Sequence, residues 1–443
     1  MDLEFFHKIL TVDSTSGKEG ELADLLAVEL EAPGRRVETF EVGDGSKNLL
    51  VSWGTPKVIF CTHLDTVPPY VPPTIVTRRS SDDGMPLGAV NSVDWGSDTL
   101  GSSAVYGLSG VHQHRDTRVS EVFSENGSSD VTRRSSDDGM PLGAVNSVDW
   151  GSDTFGSSAV YGRGTCDAKG QIFAMYEACK ILEARGYDGF GLLLLAGEET
   201  GSHGARAFSS MADKAGKEWD WIIVGEPTDN CMASAAKGTK SFEVSFTGEA
   251  FHSGYPENGL SAINLFNDFL NALRSIVFPK DDILGETTWN IGKLLSDNPQ
   301  NILSDNLTCR VYFRTTFESD EMVSNVMKNM AGPEAKLRFG KRKVQDGSDM
   351  VAKDVALWQK RMSVRPLGGD TPSKFELLEG FPSKPVSFGS DAPQLKCFRH
   401  KVLFGPGSIL VAHRPEEHIG LKELGTAVRS YVRMYEMIIE KQQ

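Results

Sequence analysis

Five short stretches of the chain carry residues able to do chemistry: His63-Leu64-Asp65, Asp167, Glu198-Glu199, Glu226 and His413, each closing a predicted strand. They offer ligands for two divalent cations plus one spare carboxylate. A pair of neighbouring cations needs one carboxylate to bridge them, terminal His or carboxylate ligands on each, and an open position for water. This set supplies all of these.

Each stretch also has an ordinary structural account. In extended chain, His63 and Asp65 point the same way, so Asp65 can orient His63 or a neighbour behind a metal; a structural histidine beside a capping aspartate fits the same pair. Asp167 precedes Ala168-Lys169-Gly170 and an amphipathic helix, so it serves either as an N-cap or as a bridging carboxylate using both oxygens. Glu198 and Glu199 follow a buried apolar strand. Adjacent carboxylates there repel and are costly to desolvate without a cation or a proton nearby, which favours function. Glu199 then binds metal, and the unligated Glu198 takes a proton from water. His203 is a surplus imidazole. Glu226 competes with a solvated loop carboxylate, and His413 with a histidine at a helix start.

The elements that must position these residues read as α/β. Helical periodicity marks 3–11, 18–31 and 169–185, while 37–42, 48–53, 58–62, 192–197 and 221–226 read as strands. Short apolar runs without alternation suit a mostly parallel sheet covered on both faces, with its site at the carboxyl ends of the strands. Residues 238–345 change character to strand, helix, strand, strand, helix and strand, the last being KLRFGKRKV at 336–344. That βαββαβ order is the ferredoxin-like plan. Since it interrupts Glu226 and His413, residues 1–237 and 346–443 form one catalytic domain and 238–345 an inserted lid, with hinges near Lys237 and residue 346.

The net charge of −14 and 39% hydrophobic content of the 443 residues describe a globular protein without the basic face that nucleic acid or an anionic membrane requires. The N-terminus does not resemble a targeting peptide, no apolar run is long enough to span a membrane, and six scattered cysteines suit reduced thiols, so a cytoplasmic location is expected. Residues 76–107 recur at 131–162 with one change, Leu100 against Phe155. Two near-identical copies without periodicity are a tandem duplication in a surface loop, expected to be disordered, rather than a solenoid. The second copy runs into Tyr161-Gly162-Arg163-Gly164-Thr165-Cys166-Asp167 and is the working junction.

In this order, HLDTVP (63–68), YGRGTCDAKG (161–170), GEETGSHGA (197–205), GEPT (225–228), FHSGYPENGLSAI (251–263) and GPGSILVAHRPEEHI (405–419) resemble the acetylornithine deacetylase and succinyl-diaminopimelate desuccinylase family, relatives of aminoacylase and carboxypeptidase G. The likeness covers the chain apart from the duplicated loop. It implies a zinc-peptidase-like catalytic domain in which Asp167 bridges two zinc or cobalt ions, His63 and Glu226 complete one, and Glu199 and His413 the other. Glu198 becomes the general base and acid, with Asp65 behind the ligands. His252 matches a histidine presented to the neighbouring subunit's site, implying a homodimer joined through the lids. Arg314 matches a lid arginine for the substrate carboxylate, although Tyr312 stands where the family carries an acid. Asn301 supports it, and Ser390-Asp391-Ala392 lines the pocket. The implied reaction is hydrolysis of N-acetylornithine to ornithine and acetate, in arginine biosynthesis. The alternatives are a desuccinylase, dipeptidase or carboxypeptidase, or an inactive dimer obstructed by the duplicated loop.

Overall fold

The computed structural model describes residues 1–77, 91–93, 158–339, 341–343, 349–351 and 355–442. Most of the duplicated segment, and with it the expectation of disorder there, lies outside them. The principal sheet has six strands, in the order Arg35–Gly43, Ser46–Trp53, Phe190–Leu195, Val58–His63, Trp219–Val224 and Phe398–Leu403. The last four run parallel, and the first two form an antiparallel hairpin at one edge. The fold is therefore α/β with a mixed, mostly parallel sheet.

Alternation along the central strands explains why they read as unbroken apolar runs. Val58, Phe60, Leu192, Leu194 and Ile223 pack on one face with helices Leu3–Leu10, Gly20–Glu29, Lys169–Ala184 and Leu421–Gln442. Ile59, Cys61, Leu193, Leu195 and Ile222 pack on the other with helix His203–Lys214. Both faces must be apolar because both are covered.

The inserted unit has its own core and an all-antiparallel sheet in the order Thr288–Leu295, Asn306–Thr315, Gly238–Thr247, Met362–Gly368, backed by helices Ala262–Arg274 and Asp320–Met330. The βαββαβ order holds, but its last strand is Met362–Gly368 and not 336–344. Among the described residues of 336–344 only Lys341–Lys343 form a strand, in a small hairpin with Asp349–Val351. Leu337 and Phe339 alternate because they pack on the unit's core, which imitates a strand signal. Val364 pairs with Val244, and Met362 with Phe246, at the sheet edge.

The chain crosses into this unit at Lys237, between strands Met232–Ala236 and Gly238–Thr247. It crosses back after Gly368, where Thr239 N donates to Asp370 O at 2.8 Å. The two crossings lie side by side, so the return falls well past 346, a residue outside those described. Among the described residues no helix is long and apolar enough to cross a membrane.

Candidate metal centre

Parallel strands end on the same side of a sheet, and the five stretches converge there. His63 is the last residue of Val58–His63; Glu198 and Glu199 follow Phe190–Leu195; Glu226 follows Trp219–Val224. Asp167 lies between strand Ala159–Tyr161 and helix Lys169–Ala184, and His413 between Phe398–Leu403 and His418–Gly420. Ligand atoms of His63, Asp167 and Glu226 lie within 4.8 Å of one another, as do those of Asp167, Glu199 and His413, and those of His63, Glu198 and Glu199.

Asp167 spans two of these groups through different oxygens. Its Oδ1 is 2.9 Å from His63 Nε2, and its Oδ2 is 3.2 Å from His413 Nε2. His413 Nε2 also lies 2.9 Å from Glu199 Oε1. Helix Lys169–Ala184 begins behind Ala168 without a side-chain cap, so Asp167 is not an N-cap. Glu226 is buried rather than a solvated loop residue. His413 precedes a short strand, not a helix, and its backbone is left-handed, with φ 64°. That conformation costs a non-glycine residue on the order of 1 kcal/mol and is held by its surroundings.

The crowding of carboxylates shows in their protonation. Burial pushes the Glu198 and Glu226 carboxyls well above the usual range, and neighbouring acids add to this while His63 opposes it. Burial acts on Asp167 in the same direction, but the hydrogen bonds from His413 and His63 outweigh it and hold Asp167 well below. Hydrogen bonds to Asp167 and Glu199 raise His413 to about 10. Burial would depress His63, but Asp167 and Asp65 hold it well above its ordinary value. Two imidazoliums thus offset the charge that cations would otherwise neutralise. Imidazole nitrogens with carboxylate oxygens are a donor set suited to zinc and similar ions.

A scaffold behind the ligands fixes their geometry. His63 Nδ1 lies 2.9 Å from Asp65 O, which leaves Nε2 to face Asp167. The Asp65 carboxylate accepts from Glu198 N at 3.0 Å, Glu199 N at 3.2 Å and Ser16 Oγ at 2.9 Å. One aspartate therefore locates ligands from two strands. On the other side, Glu417 Oε1 accepts from the backbone N–H groups of Gly164, Cys166 and Asp167. Arg163 Nη1 bonds Glu417 Oε2 at 2.6 Å and Arg414 O at 3.3 Å, tying the Asp167 loop to the His413 loop. Glu417, Arg163 and Ser16 escape a reading of motifs. The available signal was the pair Glu416-Glu417, a second doublet of adjacent acids.

A cleft of about 490 Å³ opens between the candidate metal ligands and the inserted unit, whose Arg314 is among its lining residues. Asp391 is buried beside the cleft-lining Ser390, and burial raises its carboxyl to about 7 against the pull of His63. His252 and Asn301 do not join the site within one chain. His252 lies in an exposed turn bridged to Ile302, and Ser253 N donates to Asn301 O at 2.8 Å. Cys61 and Cys166 are buried packing residues outside the metal-capable groups.

Residues 138–437 match the model of peptidase family M20/M25/M40. A probable carboxypeptidase of Aspergillus niger is 30% identical over 299 residues, covering 64% of this chain and 67% of the relative. One of Uncinocarpus reesii is 27% identical over 481 residues, covering 100% of this chain and 88% of the relative. Among solved structures, a tripeptidase from Staphylococcus aureus superposes with a TM-score of 0.62 at 17% identity, covering 100% of this chain and 98% of its own, a likeness of fold. With the paired His and carboxylate groups at the strand ends, these matches establish that the chain belongs to peptidase family M20/M25/M40.

Proposed function

We propose that this protein hydrolyses the amide bond of a small substrate ending in a free carboxylate, using two divalent cations, zinc or cobalt. The observation that carries this reading is Asp167, whose two oxygens face two separate His and Glu sets. His63 and Glu226 would complete one cation site, and Glu199 and His413 the other. When bound, such cations polarise a carbonyl and lower the pKa of water towards neutrality.

The remaining residues take roles from their positions. Glu198 is left over once Glu199 is assigned as a ligand. It lines the cleft and sits where a carboxyl readily holds a proton, which suits a group that accepts a proton from water and hands it to the departing amine. Arg314 faces it across the cleft as the partner for the substrate carboxylate. His252, exposed and away from its own cleft, suits donation to the site of a second copy in a homodimer.

Two substrate readings stand beneath this chemistry. The motifs favour N-acetylornithine, and the relatives named probable carboxypeptidase favour a dipeptide or peptide end. The deciding experiment measures metal content, then hydrolysis of N-acetylornithine, N-succinyl-diaminopimelate and a dipeptide panel, for the full chain and Glu198→Ala. Glu198-dependent release of an amino acid from any of these supports the amide-hydrolase reading and selects the branch. Two bound metals with no turnover on any of them point to another substrate or to an inactive dimer, which the N-acetyl-glutamate assay below separates.

A further inference from the structure

We propose that the cleft selects substrates bearing a second carboxylate, on an acidic side chain, through Arg310 and Arg206. This rests on the reading of the cleft as a substrate site and specifies the class of substrate. Along strand Asn306–Thr315, Leu307, Cys309, Val311 and Phe313 are buried against the helices. Arg310, Tyr312 and Arg314 therefore share the opposite face, and all three line the cleft. Four residues of strand separate the two arginines by roughly 13 Å. Arg206, in the first turn of helix His203–Lys214, lines the same cleft from the other wall.

None of the three guanidiniums is paired with a carboxylate among the described residues. Glu243, directly across the sheet from Arg310, is held instead by Arg365 at 2.7 Å. Asp370, another cleft residue, accepts from Gln394. Several arginines elsewhere in the chain, whose net charge is −14, do pair with acids: Arg35 with Glu183, Arg163 with Glu417, Arg399 with Glu218. Two dications at the strand ends would match the charge of Asp167, Glu198, Glu199 and Glu226. The arginines would then leave the cleft positive.

Arg314 is already committed. An added Cβ at Gly389 would lie 3.5 Å from its Nη1, so it reaches across to the opposite wall, with its guanidinium over the Tyr312 ring at 5.1 Å. It serves the carboxylate common to every candidate substrate. Arg310 and Arg206 remain for a second anion, where guanidinium forms strong paired hydrogen bonds with carboxylate. The ammonium of an ornithine side chain would meet like charge at the same place. An aspartate or glutamate residue fits.

The test is calorimetric binding of L-glutamate and of its neutral isostere L-glutamine to the zinc-loaded full chain, so that it does not depend on turnover. The expected result is a preference for glutamate of about tenfold, narrowed in Arg310→Gln and, on the other wall, in Arg206→Gln. Equal binding, a preference for glutamine, no binding of glutamate, or a preference untouched by both variants overturns the proposal. Hydrolysis of N-acetyl-glutamate and N-acetyl-glutamine separates the two levels of inference. Turnover of both with no arginine-dependent preference sinks this proposal and leaves the hydrolase reading standing. Arg310-dependent glutamate binding with no turnover does the reverse.

Discussion

Arg163 Nη1 and Glu417 Oε2 are joined at 2.6 Å with their side chains only 2% and 1% exposed, behind the loop that carries Asp167. Burial of such a pair is tolerable because Glu417 also accepts three backbone N–H groups. Glu417→Ala leaves a buried guanidinium unpaired and should cost about 3 kcal/mol of stability. It should also weaken metal retention, since the Asp167 loop loses its anchor. Denaturant midpoints with metal analysis check both effects, and an unchanged midpoint would show that the pair contributes little.

Metal stoichiometry should follow the sharing of Asp167. Asp167→Asn should lose both cations, whereas Glu226→Gln should weaken chiefly the site shared with His63, and His413→Ala the other. Chelation should abolish activity, and added zinc restore it. Equal loss from all three variants would argue for a single cooperative site.

Loss of Glu198 should separate binding from turnover. Glu198→Gln is expected to lower kcat by about 10²- to 10⁴-fold with metal content and KM little changed. A large rise in KM with kcat preserved would make Glu198 a substrate ligand instead.

In the metal-free protein at neutral pH, His63 and His413 are both held protonated by their carboxylate partners. Ligation needs neutral imidazoles and an ionised Glu226, whose carboxyl burial also pushes up, so zinc uptake at pH 7 should release at least about two protons. Calorimetry in buffers of different ionisation enthalpy measures this. For the metal-free chain, a folded-state pKa raised from 6.5 to about 10 at His413 means stability fully present below the lower value and lost as pH rises through the upper. Thermal unfolding of apoprotein across pH 6 to 10 should fall with pH, and a rise would contradict the pairing.

If His252 serves the partner's site, His252→Ala and Glu198→Ala should each be inactive, yet mixing them under subunit exchange should recover activity. The mixed dimer contains one site with an intact Glu198 and the other chain's His252. No recovery, with exchange shown by labelling, would place His252 outside catalysis.

The candidate ligands His63, Glu199 and Glu226, with Glu198, were legible because each breaks a rule that apolar strand ends otherwise obey: a doublet of acids after a buried strand, or an isolated His or Glu at its close. Asp167 and His413 lie in loops and were legible from their motifs alone. The alternating cores on both faces of Val58–His63 and Phe190–Leu195 likewise follow from local pattern. Other features depend on residues far apart in the chain. Leu337 and Phe339 alternate like a strand, yet the sheet edge beside Gly238–Thr247 is taken by Met362–Gly368. Glu417 becomes an anchor only when residues 250 or more positions earlier fold against it. By itself the sequence determined which groups are able to bind metal and most of the segments that form the two cores, Met362–Gly368 excepted, since burial and ligand chemistry are properties of short stretches. Only the tertiary structure decided that Asp167 faces two imidazoles with different oxygens, and that three arginines without acid partners among the described residues share one cleft. Distances and charge pairing between remote segments exist only once the chain has packed.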